Sequence, residues 1–135
     1  MATTQVTSGL TALTTPALNT STTAAATTAF VMDNVTALGS ITGAINLDST
    51  ANRYFSVTVT GTSTVAITNP PASGVVGTYT LAMTNGGAST ITWTNGKWAG
   101  GTAPTLTTAG LDILTGFTAD GGTTVRWALA MKDSK

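Results

Sequence analysis

Apolar and polar side chains alternate with a period of two along most of the chain after Ile41. In RYFSVTVT (53–60), Phe55, Val57 and Val59 fall on one side, and the residues between them carry hydroxyl groups or a charge. Strict alternation of this kind indicates a β-strand with one face in a core. The same pattern predicts further strands at 41–47, 63–69, 78–84, 89–94, 111–118 and 123–131. About seven strands with short turns between them predict an all-β protein, an antiparallel β-sandwich or jelly-roll-like module.

The predicted turns carry residues that favour chain reversal. Gly61-Thr62 is a two-residue hairpin signal, Asn85-Gly86-Gly87 a second turn, and Asp120-Gly121-Gly122 a third. Pro70-Pro71 cannot continue a hydrogen-bonded ladder and therefore predicts a longer loop.

The alternation also predicts which side chains face the core. Tyr79, Trp93 and Trp127 share the parity of neighbouring aliphatic residues, which makes them core residues. Aromatic faces that could stack on a sugar are then reduced to Tyr54 and Trp98.

The strand at 111–118 is predicted to hold Leu111, Ile113 and Phe117 inward and Asp112 outward. Arg126 is also predicted to point outward on the next strand. We therefore expect a surface pair between Arg126 and an outer position of the preceding strand, contributing about 0–1 kcal/mol.

The first 40 residues lack the alternation of apolar and polar side chains that predicts strands in the rest of the chain. Residues 1–29 are Thr, Ala and Ser with scattered Leu, which predicts an extended N-terminal arm without a core of its own. Residues 30–40 predict a connector with one short helix, beginning near Thr23 and stopped by Gly39. Its apolar stripe is predicted to contact the module or a second subunit. The members of that stripe are Phe30, Val31, Val35 and Leu38.

Composition narrows the possible functions. Charged residues make up 7% of the 135-residue chain and sum to zero, so no field attracts nucleic acid or an anionic membrane. There is no His and no Cys, which excludes the usual transition-metal sites and nucleophile–His pairs. The N-terminus lacks a basic region and an apolar run, so we expect no signal peptide. Threonine fills 33 positions and suits strands that face water.

No motif for catalysis accompanies the few acids. Asp48, Asp112 and Asp120 are the acids within or between the predicted strands of the module, and none lies in a recognisable catalytic or calcium-binding spacing. Phosphate-loop, dinucleotide and nucleophile-elbow motifs do not occur. We therefore expect a protein that is not an enzyme and holds no cofactor or metal.

The scarcity of charge bears on assembly. β-Sandwiches protect their edges with Lys, Pro or inward charges, and this chain has three lysines, two of them in its last four residues. We expect copies of the chain or a partner to cover these edges and faces in a closed assembly. A monomer kept soluble by hydroxyl groups is the alternative.

Two stretches resemble known sequences. The segment TSTTAAATTAFVMDNV (20–35) resembles an ATTAFV segment found in bacteriophage tail fibres and related virion proteins. The stretch from about residue 37 to Trp127 is similar to a β-rich module of phage structural proteins. The matching positions are Asn69, Pro70, Pro71, Trp98, Gly100, Gly101, Thr102, Pro104, Leu106, Asp112, Leu114, Asp120, Gly121, Gly122, Thr123 and, displaced by a few residues, Trp127.

This resemblance implies a non-enzymatic building block of the virion, often a trimer. One arm followed by one module favours a capsid cement or decoration protein, which would sit on the shell and tie neighbouring major capsid proteins together. Trp98, with the stripe described above, is then a candidate interface residue. A short tail fibre or spike component that binds a host glycan is the alternative.

Overall fold

The structure is a computed structural model that describes residues 34–135. Seven strands and two three-residue 3-10 turns, at Gly86–Ala88 and Ala99–Gly101, form the regular structure of these residues. The strands are β1 (Val35–Asp48), β2 (Tyr54–Thr68), β3 (Gly77–Thr84), β4 (Ile91–Trp93), β5 (Gly96–Trp98), β6 (Leu111–Thr118) and β7 (Val125–Ser134). The prediction of an all-β module is confirmed. The predicted arm 1–29 and residues 30–33 of the predicted connector lie outside the described residues.

Residues 35–40 form the start of β1, so the predicted helix is wrong over this range. The register between β1 and β2 shifts between Ala37 and Gly39, and Gly39 has a φ of 77°. Such a bulge places an extra residue in the strand. Leu38 and Ile41 therefore both pack against the core although they are three residues apart, a spacing that a helix also produces.

The strands form one mixed sheet rather than an antiparallel one. Its order is β1-β2-β3-β6-β7-β5, and β4 pairs with β2 beyond the end of β3. Parallel pairs join β1 with β2, β2 with β3, β2 with β4, and β5 with β7. β6 runs antiparallel to both β3 and β7. The prediction that the strands pair only in antiparallel fashion is therefore wrong.

The parallel pairing of β1 with β2 requires both strands to bend. Val35 lies beside Tyr54, and Asp48 lies beside Thr68. A straight strand of 14 residues would be about 46 Å long. The five residues after Asp48 reach about 20 Å at most, so β1 must fold back for Tyr54 to lie beside its first residue.

Glycines permit this bend. The register shifts again between Ile41 and Gly43, where φ is 98°, and β2 passes Gly61 at the same level. β2 therefore continues without a break through Gly61-Thr62, and the prediction of a hairpin at these residues is wrong. Its first part pairs with β3 and its last part with β4. The successive parallel strands thus stack as bent layers along the sheet.

Stacking places side chains from equivalent positions in columns. Ile45, Val65 and Trp93 are paired across β1, β2 and β4, and Phe55 pairs with Leu81. Ile45, Phe55 and Leu81 have no exposed surface. Burial of each such side chain contributes about 1.5–3 kcal/mol, so these columns supply much of the stability of the parallel part. The inward parity predicted for Phe55, Val57 and Val59 is confirmed.

Candidate contact surface

Asp112 is fully buried at the start of β6 and is fixed by three hydrogen bonds. Its carboxylate accepts from the Thr107 backbone N–H (2.6 Å), the Thr107 hydroxyl (2.7 Å) and the Asp133 backbone N–H (2.9 Å). Burial raises the pKa of this carboxyl, but these hydrogen bonds and the charge of Lys132 outweigh burial and lower it overall. The prediction that Asp112 points outward is wrong.

The inward position of Asp112 reverses the predicted parity of β6. Leu114 and Thr118 follow Asp112 into the interior, whereas Phe117 points outward and is 42% exposed. Gly116 also faces inward, and a Cβ there would lie 2.6 Å from the Trp127 ring. Gly116 is therefore the sequence signal that identifies the inward side, because the large Trp127 side chain needs a neighbour without a side chain.

The reversal creates a surface that we call the outer face, on the side of the sheet opposite Asp112 and Leu114. One row crosses five strands in hydrogen-bonded register and is formed by Val35, Tyr54, Thr80, Thr115 and Ala128. Neighbouring rows add Ala37, Ser56, Thr58, Thr78, Ala82, Thr84, Leu111, Ile113, Phe117 and Arg126. Arg126 is the one charged residue among these positions, so the outer face consists of apolar and hydroxyl-bearing side chains.

Two shallow depressions lie on the outer face. The first has a volume of about 420 Å³, and the outer-face residues that line it are Thr78, Thr80, Thr115, Phe117, Arg126 and Ala128. The second has a volume of about 370 Å³, and its outer-face lining is Ala37, Tyr54, Ser56, Thr58, Ala82, Thr84 and Leu111. The surface is therefore uneven, as a face that receives protruding side chains would be.

Positive charge is concentrated at one end of the first depression. The Arg126 guanidinium lies 5.9 Å from the centre of the Phe117 ring, a cation–π distance. Lys97 on β5 is the register partner of Arg126. Among residues 34–135 the one ion pair joins Lys135 to Asp133, so neither Lys97 nor Arg126 contacts a carboxylate there. The surface pair predicted between Arg126 and the preceding strand is therefore a pair with Phe117 and not with an acidic residue.

The other acids of the module build turns. Asp48 accepts hydrogen bonds from the backbone N–H and hydroxyl of Thr50, and Asp120 accepts from the Thr124 N–H. These hydrogen bonds lower the pKa of both carboxyls. Gly121 and Gly122, with φ of 71° and 80°, complete the turn after Asp120. The predicted role of Asp120-Gly121-Gly122 as a turn is confirmed.

Trp98 belongs to a cluster of three tryptophans. Its ring centre lies 5.0 Å from that of Trp93, edge to face, and 6.4 Å from that of Trp127, nearly parallel. Its indole N–H is buried and has no hydrogen-bond partner. Trp127 and Tyr79 are 5% and 3% exposed, which confirms their predicted core positions. Trp98 is half-buried, so only part of its ring is exposed.

The structure places the described members of the predicted interface stripe on different sides of the sheet. Val35 is 59% exposed and lies at the β1 end of the central row of the outer face. Leu38 packs against the core and is not on the same side as Val35. Phe30 and Val31 lie outside the described residues. Sequence reasoning missed Thr115, Phe117 and Ile113 as surface candidates because it assigned β6 the opposite parity.

No protein-family model matches the chain, and no curated protein or solved structure is significantly similar to it. Within residues 34–135, no helix has the length and hydrophobicity needed to cross a bilayer. Over the same residues, no three acidic, His or Cys side chains gather into a potential metal site.

Proposed function

We propose that this chain is a non-enzymatic bacteriophage virion protein, a capsid cement or decoration protein that forms homotrimers on the shell. In this proposal residues 1–29 form an extended arm that ties neighbouring major capsid proteins together. We also propose that the module is a jelly-roll-like sandwich. Its support is the motif resemblance of the sequence and the character of the outer face.

The outer face is the observation that carries the proposal. The stretches of five strands that form it are three to seven residues long and about 4.8 Å apart, so they cover roughly 400 Å². The largest apolar patch on a typical monomer covers about 300–600 Å² and is often functional, so a face of this size and character is a candidate contact site. Phe117 and Val35 are 42% and 59% exposed on this face, and its residues include one charge. Such a surface suits a protein whose work is to contact other proteins.

Strand β1 supports the same conclusion from its edge. Among the described strands it pairs only with β2, and its 14 residues carry no charge before Asp48. An uncharged edge of this length recruits other strands unless something covers it. Neighbours in an assembly would cover it, and the bulges at Gly39 and Gly43 restrict which strands could add to it.

The first depression favours one alternative function, a short tail fibre or spike that binds a host glycan. Three Thr hydroxyls, from Thr78, Thr80 and Thr115, line it beside the exposed ring of Phe117. Sugars bind to aromatic faces and hydroxyl groups of this kind. Binding of the isolated protein to a glycan array, lost in Phe117→Ala, would support the fibre over the cement protein.

The location of the protein on virions tests the proposal. Gold-labelled antibody against the chain should mark the whole head of the phage particles, in many copies. A protein lacking residues 2–22 should keep the spectroscopic signature of the folded β-module and should fail to attach to particles that lack the chain. Labelling confined to the tail, or full attachment of the shortened protein, would contradict the cement proposal.

A further inference from the structure

We propose that Lys97, Arg126 and Phe117 form a carboxylate-binding site for an acidic segment of a partner protein. The site lies at one end of the first depression of the outer face. The proposal rests on the proposed role in virion assembly and names the chemistry of the surface that the outer face would contact.

The position of the two cations is the first argument. Lys97 and Arg126 are direct register partners on the parallel strands β5 and β7, and both are exposed. Paired residues of a sheet point to the same side, about 4.8 Å apart at the backbone. Like charges placed directly opposite each other destabilise a sheet. The chain has five basic residues, and an anion bound between these two would relieve their repulsion.

The described part of this chain does not supply that anion. Each of its four carboxylates is already held by neighbouring groups. Asp112 is buried, Asp48 and Asp120 accept hydrogen bonds within their turns, and Asp133 pairs with Lys135 at 2.9 Å. A second copy would have to break such contacts to present any of these four side chains, which favours an acidic segment of a different protein.

The surroundings of the cations indicate an acidic protein segment rather than an acidic sugar. The adjacent depression of about 420 Å³ is lined by Phe117, Ala128 and Thr side chains, which fit an apolar side chain next to the carboxylate. A sugar stacked on the Phe117 ring would have to share that ring with the Arg126 guanidinium, 5.9 Å from the ring centre, whereas a carboxylate needs only the two cations. Guanidinium groups also bind carboxylates in a two-pronged geometry.

Peptide titration followed by amide NMR tests the site on the full chain. The probe is an acetylated, amidated Leu-Glu-Leu-Glu peptide, and the matched probe replaces Glu by Gln. The Glu peptide should shift the amides of Thr78, Thr115 and Phe117 with a dissociation constant of about 1 mM, and the Gln peptide should bind at least about tenfold more weakly. Lys97→Gln and Arg126→Gln should each weaken binding about threefold to tenfold. The control Lys135→Gln removes an exposed cation elsewhere and should bind as the unchanged protein does.

Several results would overturn the site. These are equal binding of the Glu and Gln peptides, unchanged binding by Lys97→Gln and Arg126→Gln when their spectra show a folded protein, or no shifts at about 10 mM peptide. Trigalacturonate binding more tightly than the Glu peptide would assign the site to an acidic sugar. The virion labelling described above is independent: peptide binding without head labelling would retain the site and refute the cement role, and the reverse result would refute the site alone.

Discussion

The parallel and antiparallel parts of the sheet are held together by different interactions. In the parallel part, formed by β1, β2, β4 and the paired stretch of β3, apolar side chains stack in columns such as Ile45, Val65 and Trp93. In the antiparallel part, formed by β3, β6 and β7, the buried residues include Asp112 and Thr118. Hydrogen bonds to these polar groups fix both ends of β6 and the loops beside them.

This difference shows how one sheet produces both a stable core and a surface for contact. Columns of apolar residues fill most of the interior of the parallel part, where the one buried polar residue among those described is Ser63, whose hydroxyl donates to the Gly61 carbonyl. The buried carboxylate of Asp112 takes an interior position on β6 that an apolar residue would otherwise fill, and Ile113 and Phe117 consequently point to the outer face. A one-residue change of register would reverse all of these directions. The polar cluster thus determines which side of β6 is available to a partner.

The largest expected effect is in the apolar columns. Phe55→Ala removes a fully buried ring that pairs with Leu81, and we expect it to lower the free energy of unfolding by about 4 kcal/mol. Chemical denaturation measures this change. The control Thr64→Ala, at an exposed position later in β2, should change it by less than about 0.5 kcal/mol. Similar losses for the two variants would contradict the column description.

A somewhat smaller effect is expected for the polar cluster. Asp112→Ala leaves the backbone N–H groups of Thr107 and Asp133 without their acceptor, and should lower the free energy of unfolding by about 3 kcal/mol. Asp112→Asn retains one oxygen of similar size and should cost about 1–2 kcal/mol. The same denaturation experiment compares them. A loss below about 0.5 kcal/mol for Asp112→Ala would show that this cluster does not hold β6.

Acid should affect the two parts differently. The pKa of Asp112 is lowered in the folded protein, so its contribution to stability is complete above the unfolded value of about 4 and is lost as the pH falls through the lowered pKa. The stability difference between the unchanged protein and Asp112→Asn should therefore be constant near neutral pH and shrink below about pH 4. Denaturation midpoints measured from pH 7 to pH 2 test this, and a difference that grows toward acid would reverse the assigned sign. Phe55→Ala should show no such pH dependence relative to the unchanged protein.

For the parallel part, the sequence predicted correctly which side chains face the core, but it did not predict how the strands connect and pair. Alternation placed Phe55, Val57 and Val59 correctly because the valines and the phenylalanine of this stretch of β2 are interior residues. Pairing direction was not accessible, since Gly61 permits a bend within β2 as readily as a hairpin between two strands. Likewise, the bulge at Gly39 gives the apolar residues of β1 a spacing that also fits a helix, so the sequence alone predicted a helix there.

The antiparallel part was harder to predict because a polar residue occupies the interior. Alternation assigns a carboxylate to water, and no local signal shows that Thr107 and the distant Asp133 donate hydrogen bonds to Asp112. Gly116 was the available hint, since it lies against Trp127. The apolar character of the outer face could therefore not be derived before the parity of β6 was known.

The smallest effect on stability, and the most direct test of the outer face, comes from a charge at its centre. Thr115→Lys places a cation in the middle of the central row, and Thr64→Lys places the same cation at an exposed strand position outside the outer face. Both variants should unfold within about 0.5 kcal/mol of the unchanged protein, because both positions are exposed. When mixed with phage particles that lack the chain and centrifuged, the unchanged protein and Thr64→Lys should sediment with the particles, and Thr115→Lys should stay in the supernatant. An unchanged protein that stays in the supernatant, or a Thr115→Lys variant that sediments with the particles as the unchanged protein does, would contradict the assignment of the outer face as a surface that contacts partner proteins.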